Sequence, residues 1–124
     1  METAIREPIT LEEGIPYDIE IDILTEDDLG VEIPAPIHGF KFLFEARENA
    51  KKKTAFISLS TENGGIVITD AVNGKVSILF TSEVSQIKKT SGIYDFVGFD
   101  TAGNPFKIMY GPINIKQTIS DWNV

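Results

Sequence analysis

The sequence predicts an all-β protein, an Ig-like or jelly-roll-like two-sheet antiparallel β-sandwich with one short helix. Eight short stretches of alternating apolar and polar residues occur between residues 9 and 119, separated by Gly, Asn, Asp or Pro turns. The most regular stretch is residues 17–23, where Tyr and Ile alternate with acidic residues. Alternation of this kind places the apolar side chains on a buried sheet face and the carboxylates on a solvated face. The predicted solvated row is Asp18, Glu20 and Asp22.

Length and composition indicate one ordinary globular domain. The chain has 124 residues, of which 42% are hydrophobic and 24% are charged. A chain of this length buries enough surface for a single core and leaves no room for a second domain. We therefore expect a sandwich domain at residues 9–119, preceded by an N-terminal arm at residues 1–8 and followed by a C-terminal tail at residues 120–124.

The net charge and the absence of cysteine exclude several classes of partner and chemistry. Eleven basic and 19 acidic residues give a net charge of −8, so phosphate backbones and anionic lipids would repel the protein. We expect no nucleic acid and no membrane among its partners. Without cysteine, the chain has no disulfide, thiolate metal site or thiol nucleophile. The N-terminus lacks the pattern of a secretory signal, which predicts a bacterial cytoplasm or a particle assembled there.

The first half of the chain predicts three strands and an irregular crossing. A short strand at residues 9–12 ends at a glycine turn, and the long strand at 17–23 follows it. Residues 25–30 form a polar turn. Residues 31–36 contain two prolines, which remove backbone donors, and are predicted to be an edge crossing or an inter-sheet loop. The third strand, residues 40–46, places three phenylalanines and Ala46 on one face, which we assign to the core.

The second half predicts five further strands and the helix. Strands at residues 55–59 and 66–69 precede Asn73-Gly74, a pair typical of a type I′ hairpin turn, which leads to a strand at 76–80. The helix is predicted over residues 81–89, with Ser82 as its cap, Glu83 in its first turn, Lys88 and Lys89 in its last turn and Gly92 closing it. The last strands are residues 94–99 and 106–119, the latter divided by Gly111-Pro112.

The sequence contains little that indicates catalysis. His38 is the only histidine and has no partner at a recognisable spacing, so a structural or surface role is favoured. The acidic row and residues 26–28 are an alternative Ca²⁺ site, but EF-hand spacing is absent and a solvated face is the preferred interpretation. Two carboxylates suffice for glycoside hydrolysis, yet so short a chain has little room for a sugar cleft. We predict no enzymatic activity and no catalytic, cofactor-binding or metal-binding residues.

Five segments together resemble a known group of phage proteins. They are EPITLEEGIPYDIEI at residues 7–21, ISLSTENGGIVI at 57–68, GKVSILFTSEVSQI at 74–87, GIYDF at 92–96 and DTAGNPFKIMYGPINI at 100–115. Their order is similar to that of small proteins and N-terminal domains encoded among the tail genes of tailed bacteriophages, including the N-terminal domain of the siphophage baseplate upper protein.

This resemblance implies a non-enzymatic virion protein that docks or spaces receptor-binding fibres on the tail, baseplate or neck. Its expected partners are other virion proteins and further copies of itself, because rings need head-to-tail contacts through an edge strand or an arm. The alternatives are a capsid decoration protein and a carbohydrate- or host-surface-binding module. The crossing at residues 31–38 departs from the pattern of this group.

Certain exposed segments are the predicted contacts with partners. Trp122 lies near the chain end and either packs on its own domain or anchors a neighbour, as tryptophan is enriched at interface hot spots. The lysines at 51–53 form a hydrated loop or contact an acidic neighbour in an assembly. The predicted interface residues are Ile5, Pro8, Pro34, Pro36 and Trp122.

Overall fold

The computed structural model describes residues 4–86 and 91–117, which form eleven strands and one short helix. The all-β class predicted from the sequence is confirmed. The helix is α1 (Ser82–Ser85), and the strands are β1 (Ile5–Arg6), β2 (Ile9–Glu12), β3 (Tyr17–Asp22), β4 (Leu24–Glu26), β5 (Glu32–Pro34), β6 (Lys41–Arg47), β7 (Ile57–Ser60), β8 (Ile66–Asp70), β9 (Lys75–Phe80), β10 (Ser91–Phe99) and β11 (Pro105–Lys116).

The strands form two sheets and a separate ribbon. The main sheet has six strands in the order β1-β11-β10-β6-β7, with β2 also paired to β11. The small sheet has the order β3-β9-β8, and β4 and β5 form the two-stranded ribbon. All pairs are antiparallel except β1 and β2, which both run parallel to β11. The parallel pairs were not predicted, because alternation assigns the faces of a strand and not its neighbours.

The core lies between the facing surfaces of the two sheets. Phe42 and Phe44 on β6 are fully buried, as are Ile78 and Phe80 on β9. The rings of Phe44 and Phe80 meet edge to face across the two sheets, with centroids 5.2 Å apart. The prediction that the aromatic face of residues 40–46 belongs to the core is confirmed.

Strand β11 is continuous, although the sequence predicted a break at Gly111-Pro112. Before this dipeptide β11 pairs with β1, and after it β11 pairs with β2. Gly111 has a φ of +151°, and a Cβ there would lie 3.0 Å from the Glu7 carbonyl oxygen. Glycine therefore lets the chain between β1 and β2 approach closely where β11 changes partner.

A buried tyrosine forms a hydrogen bond that holds the N-terminal segment against the main sheet. The Tyr94 hydroxyl donates a hydrogen bond to the Glu7 carbonyl, and the Glu7 N–H donates to the Tyr110 carbonyl at 2.9 Å. Burial raises the pKa of Tyr94 to about 12, and the negative charge of Glu7 acts in the same direction. The segment predicted as an arm, residues 1–8, thus contains a strand and two hydrogen-bonded contacts with the sheet.

This tyrosine predicts a decrease in stability at high pH. An unfolded tyrosine ionises near a pKa of about 10, whereas Tyr94 in the folded protein keeps its proton until about 12. Because the unfolded chain loses this proton first, the free energy of unfolding should fall as pH rises above about 10, until the folded tyrosine also ionises. Urea unfolding between pH 8 and 11 should show this decline.

Tyr94→Phe is the matched variant for this test. At pH 8 it should lose about 0.5–1.5 kcal/mol, because the Glu7 carbonyl loses its donor. Above pH 10 its stability should decline less steeply than that of the wild type, since phenylalanine does not titrate. Parallel pH profiles for the two proteins would contradict the role of Tyr94.

Helix α1 is shorter than predicted, and its N-cap residue lies one position earlier than the sequence indicated. Thr81, not Ser82, is the N-cap, since Thr81 is extended and its hydroxyl accepts from the Val84 N–H at 3.3 Å. Lys88 and Lys89 lie outside the described residues. No helix in the described part of the chain has the length and apolar character needed to cross a membrane.

The sequence indicated that Gly92 closes the helix, but this residue lies within β10. A Cβ at this position would lie 2.5 Å from the Arg47 carbonyl oxygen and 2.7 Å from the Phe56 ring. The glycine is needed because backbone and ring approach closely at this end of the sheet. Sequence reasoning assigned it to the helix because glycine after a lysine pair is also a helix-stop signal.

The β8–β9 hairpin is confirmed, but its turn is not type I′. A type I′ turn needs positive φ at both central residues, and among the described residues only glycines have positive φ. Gly74 adopts a φ of +69°, whereas Asn73 is held by Asp70, whose carboxylate accepts from the Asn73 N–H at 3.2 Å and from its amide at 2.8 Å. The side-chain contacts favour a longer connection over residues 71–74.

Candidate functional site

The ribbon is the main difference between the predicted and observed surfaces. Residues 31–36 were predicted to be an edge crossing or an inter-sheet loop, and they contain β5, which pairs with β4 so that Pro34 lies opposite Leu24. Each strand of a two-stranded ribbon has one side without a neighbour. The backbone nitrogen of Pro34 can face that side, so its missing N–H removes no hydrogen bond between the two strands. The predicted polar turn at 25–30 is shorter, because Thr25 and Glu26 belong to β4.

The base of the ribbon is bonded to the β8–β9 turn. The Ile23 N–H donates to the Gly74 carbonyl at 2.7 Å, and the Ala35 N–H donates to the Ile23 carbonyl at 2.9 Å. The Ile37 N–H donates to the Ala71 carbonyl at 2.9 Å, and Ile37 itself is fully buried. These bonds set the position of the ribbon relative to the small sheet.

The far end of the ribbon, residues 26–33, is an ordered and exposed turn that we call the ribbon tip. The Asp27 carboxylate accepts from the Leu29 N–H at 2.8 Å and from the Val31 N–H at 3.0 Å, while Gly30 adopts a φ of +79°. Leu29 is 88% exposed, Val31 54% and Ile33 39%. Three large apolar side chains on an ordered, solvated turn add nothing to the core and are typical of a binding surface.

A groove between the base of the ribbon and the main sheet brings two predicted interface residues together. This ribbon groove has a volume of about 550 Å³ and is lined by Ile5 and Pro36, together with Phe40 and Phe106. Ile5 is 62% exposed. The sequence placed both residues on partner surfaces but did not indicate that they meet.

The other predicted interface residues lie elsewhere. Pro8 is exposed between β1 and β2, and Pro34 is exposed at the end of β5. Neither lines the ribbon groove. Trp122 lies outside the described residues.

A second groove, on the outer face of the main sheet, combines cations with apolar side chains. This basic groove has a volume of about 530 Å³ and is lined by the cationic residues Arg6, Arg47 and Lys107. Arg47 pairs with Glu45 at 3.0 Å and Lys107 with Asp95 at 3.7 Å. Within residues 4–86 and 91–117, Arg6 has no ion-pair partner, so the groove keeps one uncompensated cation. Its apolar surface comes from Ile93, Tyr110 and Pro112.

The lysine run increases the positive charge beside the basic groove. Ala50 lines the groove, and Lys51, Lys52 and Lys53 follow it in an exposed loop between β6 and β7. Lys52 lies 3.9 Å from Glu48. Sequence reasoning identified the lysines but missed the groove, because β1, β6 and β11 bring its cations together from distant parts of the chain.

The acidic row on β3 is solvated, as predicted. Asp18, Glu20 and Asp22 are exposed, and Lys75 on the neighbouring strand lies 3.1 Å from Asp22 and 3.9 Å from Glu20. Across the described ranges, no three acidic or histidine side chains are grouped so that they could hold a metal ion. His38 is exposed in the turn before β6.

Exposed aromatic side chains are dispersed in the described part of the chain. Tyr17 is 50% exposed on β3 of the small sheet, and Tyr110 is 39% exposed on β11 of the main sheet. Stacking on a sugar would need such rings to be adjacent.

No protein-family model matches this chain, and a search of curated proteins found no significant match. The chain is a small all-β protein with a sandwich-like core. Its exposed features are the ribbon tip, the ribbon groove and the basic groove.

Proposed function

We propose that this protein is a non-enzymatic structural component of a tailed-bacteriophage particle, an adaptor of the tail, baseplate or neck that docks or spaces receptor-binding fibres. The docking role is supported by one observation above all. The ribbon tip presents Leu29 at 88% exposure on a turn that Asp27 orders through two hydrogen bonds. The phage setting is supported by the resemblance of the five sequence segments to tail-encoded proteins.

The proposed mechanism is geometric. The ribbon is bonded at its base to the β8–β9 turn, so its tip is held in a defined direction relative to the sandwich. An apolar turn held in this way loses little conformational entropy when a partner covers it, which favours binding. Copies placed around a particle by its symmetry would multiply contacts that are individually weak.

Immunogold electron microscopy on particles from the source phage would test the proposal. Antibody against the purified protein should place gold on the baseplate, tail tip or neck, with pre-immune serum as the control. Gold over the head would overturn the adaptor role in favour of capsid decoration. No gold on intact particles, with abundant protein in the lysate, would overturn the virion role.

A variant series would connect the ribbon tip to this role. In a phage that lacks the gene, Leu29→Asp supplied in trans should reduce the yield of infectious particles at least tenfold relative to the wild type. Val72→Asp is the matched control, because Val72 is 63% exposed but lies in the β8–β9 turn, outside the tip. Equal yields with Leu29→Asp and the wild type would contradict a docking role for the tip.

A further inference from the structure

We infer that copies of this chain associate head to tail, with the ribbon tip of one copy seated in the basic groove of the next. The inference rests on the proposed assembly role and identifies the two surfaces through which copies would meet. It is carried by the chemistry of these surfaces, which are complementary in charge and both partly apolar.

The ribbon tip is acidic as well as apolar. Residues 26–33 contain four acidic side chains, three large apolar side chains and no basic one. The acids are Glu26, Asp27, Asp28 and Glu32, all exposed. A partner for this segment must cover Leu29 and Val31 with apolar surface and also supply cations beside the carboxylates, because desolvated charges without partners oppose binding.

The basic groove meets both requirements. Its apolar surface includes Ile93, 42% exposed, and Tyr110, 39% exposed. Arg6 and Lys107 lie at its lining, and the loop with Lys51–Lys53 continues from it. Glu45 and Asp95 also line the groove, but they pair with Arg47 and Lys107, so Arg6 and the lysine loop leave a local excess of positive charge in a chain with a net charge of −8. The arginine and lysine side chains of the basic groove are long enough to reach the carboxylates of an inserted turn, while their methylene stems cover apolar surface.

The alternative contacts between copies are less favourable. Two ribbon tips facing each other would bring eight carboxylates together, since each tip has four, and like charges at an interface cost several kcal/mol. The ribbon groove of a second copy is a poor acceptor for the same reason, because its lining has one cation, Lys107, against four acidic residues, Asp22, Glu26, Glu32 and Asp100. Charge therefore selects the basic groove.

The contact is heterologous, because the tip and the groove are different surfaces. The ribbon is hydrogen-bonded to the β8–β9 hairpin of the small sheet. Glu45 and Arg47 of the groove lie on the outer face of the main sheet, because they alternate along β6 with the core residues Phe44 and Ala46. Repetition of a one-way contact of this kind produces a closed ring or an open chain of copies, whereas a reciprocal exchange of tips between two copies would close a dimer. An eight-residue tip covers less area than a standard interface, so we expect weak association that depends on concentration and salt.

Sedimentation velocity on the purified full chain tests the inference. At several hundred micromolar and low salt, the wild type should show species larger than the monomer, and these should decrease at 0.5 M NaCl. Leu29→Asp, which alters only the tip, should weaken association at least tenfold. Arg6→Glu, which reverses the unpaired cation of the basic groove and alters neither the tip nor the ribbon groove, should do the same. Val72→Asp should associate like the wild type, and circular dichroism should confirm that every variant is folded.

Mixing the variants gives the decisive result. The tip variant retains an intact groove, and the groove variant retains an intact tip, so a 1:1 mixture should form dimers and no larger species. A monomeric wild type under all conditions would overturn the inference, as would unchanged association of Leu29→Asp or a mixture that stays monomeric. If the particles are labelled with gold but the purified protein is monomeric, the inference fails and the proposed function stands. If the purified protein self-associates but the particles are not labelled, the proposed function fails and the self-association stands.

Discussion

Replacing Phe44 by alanine should lower the free energy of unfolding by about 3–5 kcal/mol, the usual cost of removing a buried phenylalanine side chain. Phe44 is fully buried where the two sheets meet. Its ring is stacked on Tyr94 with centroids 5.0 Å apart and meets Phe80 edge to face at 5.2 Å. Alanine would lose both ring contacts and leave a cavity that strands of two sheets cannot close without breaking their hydrogen bonds. Small domains are stable by only about 5–15 kcal/mol, so much of the total would be lost.

Urea unfolding of the wild type and Phe44→Ala measures this effect as a lower transition midpoint. Leu43→Ala is the matched control, because Leu43 is the preceding residue on β6 and points to the outer face, where it is only partly buried. Its loss should be clearly smaller, since less apolar surface returns to water. Equal losses for the two variants would contradict the assignment of the two faces of β6.

Gly74→Ala should be the most damaging of the glycine substitutions in the turns. Gly74 adopts a φ of +69°, and a Cβ there would lie 2.5 Å from the Ala35 carbonyl oxygen and 2.6 Å from the Ile23 carbonyl oxygen. The left-handed conformation costs an alanine roughly 1–2 kcal/mol, and overpacking against backbone adds about 1–3 kcal/mol. We expect a loss of about 2–5 kcal/mol from these two effects together.

Gly103→Ala separates the two effects. Gly103 has a φ of +86°, and nothing lies within 4 Å of the position that its Cβ would occupy. This control should lose only the conformational part, roughly 1–2 kcal/mol. The comparison is made by urea unfolding, and similar losses for both variants would contradict the close packing of the β8–β9 turn against the ribbon base.

The Gly74 substitution should also affect the ribbon. The crowded atoms are the carbonyl oxygens of Ile23 and Ala35, and Ile23 donates to the Gly74 carbonyl. Displacement of the ribbon base should raise the hydrogen-exchange rates of the Ile23 and Ala35 amides and change the direction of the ribbon tip. Hydrogen exchange on Gly74→Ala and Gly103→Ala would measure it, with the change expected only in the first variant.

Particular strands show how far sequence reasoning extends. The alternation in residues 17–23 predicted an exposed acidic row, and the alternation in residues 40–46 predicted a buried aromatic face, and both are confirmed. The prediction that Tyr17 is on the buried face of its strand is wrong, because Tyr17 is 50% exposed at the start of β3. Strand periodicity is a local property, so the side of the chain that faces the core can be read from neighbouring residues. The short helix was also predicted from local signals, although its N-cap was assigned one residue too late.

The missed features other than the ribbon depend on distant residues. Strand β1 was not predicted, because its two residues have no periodicity and form a strand only by pairing with Met109 and Tyr110. The pairing of β5 with β4 was missed because the prolines of residues 31–36 argued only against a central strand and did not indicate a partner, and a two-stranded ribbon tolerates proline at its edges. Gly92 was assigned to a helix end because the ring of Phe56, which requires the glycine, is remote in sequence.

The sequence by itself determined that this protein is all-β, that the aromatic face of β6 belongs to the core and that the chain is acidic. Only the tertiary structure decided which strands are neighbours, where Leu29 is presented and that Arg6, Arg47 and Lys107 line one groove. The physical reason is that alternation and turn preferences act over a few residues, whereas strand pairing and sheet packing join residues far apart in the chain. The basic groove belongs to this second kind, because β1, β6 and β11 come from distant parts of the chain, whereas the ribbon tip is one local segment whose direction is set by hydrogen bonds to the β8–β9 turn.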